Sequence, residues 1–174
     1  MASRIMQAVT LRLLGRADQA QRCRDEALEL ANQTTHANSR CYGFHFASVY
    51  DQLAGDPRSV MANAETVSKL ADEQDLALWL GWSAIMHGWG VAAGGDTNAG
   101  VSEMRRGLDA ARAVGAALIH TYYLALLAEI LVRARRFEEA AVALDEADRL
   151  VVANEERFWE SELGRLRAEI DLAR

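Results

Sequence analysis

Apolar residues recur at helical spacing along the whole chain, and glycines punctuate the runs they form. Over 17–32, Ala20, Cys23, Ala27, Leu28, Leu30 and Ala31 make one stripe, while Arg22, Arg24, Asp25, Glu26 and Glu29 fall mostly on the other face. Over 37–54 the stripe is Tyr42, Phe46, Val49, Tyr50 and Leu53. Gly55 then ends the helix, because glycine tolerates the left-handed conformation there. Asp56-Pro57 starts the next one, as N-cap and first-turn proline. Gly94-Gly95-Asp96 repeats this stop and start. The pattern predicts nine helices, near 2–14, 17–32, 37–54, 57–73, 76–93, 97–114, 117–134, 137–152 and 155–173.

The stops share a period. Gly15, Gly55 and Gly95 are 40 residues apart, and Arg135 is the fourth member of the series. Ala20, Val60, Gly100 and Ala140 keep the same spacing, as do Ala27, Val67, Gly107 and Ala147. A fixed period in this range marks a helical repeat protein. The expected fold class is all-α. The expected architecture is a right-handed α-solenoid of four helix–turn–helix units plus a C-terminal capping helix, as one domain over 1–174. Arg135-Arg136 must make its turn without glycine.

The two ends differ. Trp159, Leu163, Leu166 and Ile170 share one face of the last helix, as a capping helix requires. The first helix carries Ile5, Met6, Val9, Leu11, Leu13 and Leu14 and reads as apolar nearly all round. Either a further repeat precedes it, or this edge pairs with a second copy through Ile5, Met6, Val9 and Leu13.

A net charge of −6 argues against nucleic acid, whose binding needs a basic footprint. Lys69 is the one lysine, and with the many alanines this points to a GC-rich bacterial genome. Cys23 and Cys41 form no C-x-x-C pair, and the reading is two reduced thiols in a cytoplasmic protein. Residues 76–95 carry no formal charge and are long enough to span a bilayer. Five glycines, His87 and the polar counterparts one period away argue against a membrane span.

Leu14-Gly15-Arg16-Ala17-Asp18-Gln19-Ala20, followed by Ala27-Leu28-Glu29-Leu30, resembles the second-helix half of a tetratricopeptide repeat. So does Arg136-Phe137-Glu138-Glu139-Ala140 with Ala147 and Leu150. Ala8, Ser48, Gly88, Ala128 and Ala168 are small where that family packs its helices closely. The units are longer than the family's usual 34 residues. The family's large first-helix aromatic and closing proline are mostly absent. The chain as a whole is similar to the tetratricopeptide-like region of large bacterial regulators with an upstream cyclase or ATPase. Residues 124–129 and 156–163 carry that likeness best. The resemblance implies a sensor or protein-interaction module, and no nucleotide activity.

That family's concave face supplies the candidate site. Tyr42, Trp82 and Tyr122 hold one repeat position, and the resemblance places them in the groove with His45, Val49, Ile85, Trp89, Glu129 and Arg133. Aromatics with a polar handle suit a peptide or planar ligand. Two readings stay open, because Tyr42 with Phe46 and Trp82 with Met86 also make the i, i+4 stripe of a core. Glu129 and Arg133 lie one turn apart and are placed to pair with each other.

Catalytic motifs are missing: no G-x-S-x-G, H-E-x-x-H or Walker A run occurs. Gly88-Trp89-Gly90-Val91-Ala92-Ala93 matches a dinucleotide fingerprint on paper, but it sits inside a helix, where its glycines read as close-packing positions. His36, His45, His87 and His120 share no repeat position and suggest no metal site. Arg133, Arg135 and Arg136 cluster at a turn and read as a solvated loop beside Glu138 and Glu139.

The expected function is a non-catalytic interaction or sensing module holding a peptide, protein segment or small effector, without cofactor, membrane or nucleic acid. The alternative is a small-molecule-binding or weakly hydrolytic protein using His45 or Glu129 as acid or base. A third reading is a fragment of a larger regulator.

Overall fold

The computed structural model describes residues 1–116 and 118–173, and all of its regular structure is helical. The described residues form α1 (Ala2–Leu13), α2 (Ala17–Gln33), α3 (Ala37–Ala54), α4 (Pro57–Glu73), α5 (Ala77–Ala93), α6 (Thr97–Ala113), α7 (His120–Arg133), α8 (Phe137–Asn154) and α9 (Glu160–Ala173). A short 3-10 turn, η1 (Arg157–Trp159), leads into α9. Boundaries follow the sequence reading closely except at two places. The seventh helix starts at His120; its expected start at 117 lies outside the described residues. The expected last helix divides into η1 and α9.

The helix ends explain the 40-residue period. Gly15, Gly55, Gly95 and Arg135 all have positive φ, at 75°, 75°, 119° and 57°. Each closes its helix with the same pair of bonds. Gly55 N donates to Gln52 O at 3.0 Å and Asp56 N to Asp51 O at 2.9 Å; Arg135 N donates to Val132 O at 2.9 Å and Arg136 N to Leu131 O at 2.8 Å. This is the glycine-type stop, which satisfies the orphan carbonyls of the last turn. Arg135 adopts it despite its Cβ, and its guanidinium lies 5.6 Å from the Phe137 ring centre. A second series, Asp75, Gly115 and Glu155, also has positive φ, at 52°, 71° and 55°. It marks the other joint of the same period, and only one member is glycine. Asp56 and Asp96 cap α4 and α6 by accepting from Ser59 N and Ala99 N.

Helices adjacent in sequence pack on one another, α1 on α2, α3 on α4, α5 on α6 and α7 on α8, and α4 lies as extensively on α5. The odd-numbered helices also touch in a row from α1 through α3, α5 and α7 to α9. The α5–α6 pair is closest. A Cβ built on Gly100 would lie 2.4 Å from Gly88 O, and one on Gly107 would lie 2.7 Å from Gly81 O. The glycines of the paper fingerprint therefore serve close helix packing. The buried core runs through the row, with Ile5, Ala8, Ile85, Met86, Met104, Tyr123, Leu131, Leu144 and Leu166 nearly or wholly enclosed. Cys23 and Cys41 are both buried free thiols, and burial pushes the Cys41 thiol up.

Polar links join the units. Arg24 reaches across to the buried carboxylate of Asp51 at 2.7 Å, and Asn63 Nδ2 donates to the same oxygen at 2.7 Å. Arg105 pairs with Glu139 and Arg112 with Glu146, each at 2.6 Å, forming two rungs between α6 and α8. No helix among the described residues is long and apolar enough to cross a membrane.

Candidate functional site

Aromatic rings form a continuous chain along the odd-numbered helices. Tyr42 meets Phe46 and Trp79; His45 packs against Trp79, Trp82 and Tyr123. Tyr123 adjoins Tyr122, which stacks on Trp159 at 5.1 Å and 28°. Two hydrogen bonds bridge α3 to α7: Tyr123 Oη with His45 Nε2 at 2.8 Å, and Tyr122 Oη donating to Gln52 Oε1 at 3.1 Å. α3 and α7 thus touch directly although a whole helical pair separates them in sequence.

The expected groove residues do not share one environment. His45, Val49, Trp82, Ile85, Trp89 and Tyr122 are buried, Ile85 completely. Tyr42 and Glu129 are half-buried, and Arg133 is exposed. Packing of α3, α5 and α7 against one another encloses the middle of the series, so Ile85, Trp82 and Trp89 offer a ligand almost no surface. Glu129 and Arg133 pair at 2.8 Å. Burial raises the Glu129 carboxyl, against the opposing pull of Arg133.

As an acid or base, His45 is poorly placed. It is enclosed, hydrogen-bonded to Tyr123, and pushed by burial down to about 3. Its ring is therefore neutral across the physiological range. His87 is satisfied and partly exposed, between two carboxylates: Nδ1 lies 2.9 Å from Glu103 and Nε2 3.7 Å from Glu65. The glutamates come from α4 and α6, so spacing along α5 gave no sign of them. Among the described residues no group of three or more metal-ligating side chains converges.

The four residues expected at an intermolecular edge also separate. Ile5 is wholly buried and Val9 nearly so, because α1 lays that side on α2 and α3. They belong to the interior and are unavailable to a second copy. Met6 and Leu13 remain 40% and 46% exposed.

The structure brings together a cavity that the sequence did not indicate. It measures about 290 Å³ and lies between α1, α3, the start of α7 and η1. Met6, Val9 and Leu13 form one wall, Phe46 and Val49 another. Ile119, Tyr122, Phe158 and Trp159 complete it, with Thr10 and Glu156 as polar groups. Glu156 Oε2 accepts from Thr121 Oγ1 at 2.8 Å and from Thr121 N at 3.4 Å, so the carboxylate also covers the N-terminal end of α7. On the far side of the Tyr122–Trp159 stack lies a more polar hollow of about 400 Å³, bordered by Gln52, Glu129, Arg133 and Glu162. Of the expected groove residues, Val49 and Tyr122 line the first hollow, and Tyr122, Glu129 and Arg133 the second.

Compared with known proteins, the chain matches no family model, no curated protein and no solved structure.

Proposed function

We propose that the chain is a non-catalytic binding module, built as a right-handed stack of four tetratricopeptide-like helical pairs with a capping helix. It holds an apolar group of a small effector or peptide in the cavity between α1, α3, α7 and η1. The repeating stops at 15, 55, 95 and 135 support the stacked-pair reading. The observation that carries the binding role is the cavity itself, whose walls come from both ends of the chain and are mostly aromatic or aliphatic. Its size, about 290 Å³, suits a small ligand or one large side chain. A place beside a bacterial signalling domain remains part of this reading, resting on the resemblance alone.

The test fills the cavity. Naphthalene binding is followed by saturation-transfer NMR in the wild type and in Val49→Trp, with melting as the control for folding. Saturable binding that disappears in a folded Val49→Trp supports the reading. No binding to the wild type, or equal binding to both proteins, overturns it.

A second reading has its own observation. Met6, Leu13, Leu14 and Phe158 expose apolar surface, Leu14 and Phe158 by 66% and 67%. A homodimer using this edge would cover the cavity mouth. Light scattering decides it: a dimer split by Leu14→Glu with Phe158→Glu supports the edge, and a monomer at high concentration removes it.

A further inference from the structure

The cavity has a charge character that its apolar walls conceal. Phe46, Tyr122, Phe158 and Trp159 line it, and Glu156 is its one charged residue. No basic side chain among the described residues lines it, and none pairs with Glu156. Glu156 is half-buried, and its bonds go to Thr121 alone among the described residues. Aromatic faces carry negative potential and attract cations, most strongly when water is excluded. A carboxylate beside them adds to that field, in a chain whose net charge is already −6.

From this combination we infer that the cavity accepts a small organic cation, an alkyl- or arylammonium with an apolar body. The body fills the floor beside Val9 and Val49. The ammonium lies toward the aromatic rings and Glu156. This inference rests on the binding-module reading above and names its ligand class. It excludes carboxylates and phosphates from the same space, because Glu156 would meet them unpaired.

The experiment compares benzyltrimethylammonium with neopentylbenzene, its uncharged carbon isostere, by NMR titration at low ionic strength. The cation is expected to bind about tenfold more tightly or better, within the range of a desolvated cation–π contact. Glu156→Gln, whose amide oxygen still accepts from Thr121, keeps the aromatic walls and should reduce the preference for the cation about two- to fivefold without abolishing it. Melting of the variant checks that α7 stays capped. Trp159→Leu should weaken the cation more than the isostere. Equal binding of both probes to the wild type, with no effect of Glu156→Gln, overturns the cation inference and leaves the apolar cavity standing. Binding of neither probe overturns both.

Discussion

Tyr123 Oη and His45 Nε2 lie 2.8 Å apart although 78 residues separate them in sequence. The contact ties α3 to α7 and places an imidazole in the driest part of the core. Burial holds that imidazole neutral, down to about pH 3. The unfolded chain instead binds its proton near the ordinary value of about 6.5. Between these values the unfolded state carries more protons, so stability falls as pH drops. From pH 7 to pH 5 the loss from this residue is on the order of 2 kcal/mol. His120, lowered by burial and by Arg112, adds to it in the same direction. The raised carboxyls of Asp51 and Glu129 act oppositely. Denaturant unfolding of wild type and His45→Gln at both pH values isolates the residue: the variant should be less stable at pH 7 and lose less on acidification. Parallel losses would show that His45 takes up its proton as readily in the fold as in the unfolded chain.

Arg24→Met removes the cation from a buried carboxylate. Among the described residues, Asp51 then keeps only Asn63 as a side-chain donor. An uncompensated buried charge costs about 3 kcal/mol. Burial already raises the Asp51 carboxyl. The deficit should therefore shrink as pH falls through that raised value and the group becomes neutral. A deficit that does not change with pH would place the damage in packing instead.

Gly55→Ala and Gly100→Ala separate two uses of glycine. Nothing lies within 4 Å of a Cβ at Gly55, so the cost is that of its φ of 75°, about 1 kcal/mol. At Gly100 the same methyl meets Gly88 O at 2.4 Å and Ala92 N at 2.5 Å. Two helices must part, at about 3 kcal/mol or more. Thermal melting ranks them, and equal costs would contradict the close approach of α5 and α6.

Arg135→Gly should raise stability by up to about 1 kcal/mol, since the position already has the conformation that glycine favours. The gain is reduced by loss of the Phe137 contact. A melting temperature below wild type would mean that contact outweighs the backbone strain.

Trp82→Ala tests core against groove. The side chain is 3% exposed and meets His45, Trp79 and Tyr123. Its loss should cost about 3–5 kcal/mol in unfolding experiments. Unchanged melting would return Trp82 to the ligand surface.

Helices and stops were legible because each is local. An apolar stripe such as Ala20, Cys23 and Ala27 is written within a few turns, and Gly55 announces its own backbone. Glu155 adopts the same left-handed backbone as Gly115 with nothing in its chemistry to announce it, whereas Asp75 is of a type that visits that backbone more readily. Core and groove were inseparable because both place large residues at i, i+3 and i+4, and burial depends on how α3, α5 and α7 meet. The cavity was invisible for a related reason: Met6 and Val9 reach Phe158 and Trp159 only after every intervening helix has been stacked. The partners of His87 were invisible likewise, its glutamates lying on neighbouring helices.

A cavity walled by residues 6–13 on one side and 156–159 on the other has its width set by every helix stacked between those two segments. In the α5–α6 pair, backbone meets backbone at Gly88 and Gly100, which leaves those two helices little room to slide. On the binding proposal, a ligand that altered the width of this hollow would have to shift helices elsewhere in the stack, where the contacts are made by side chains.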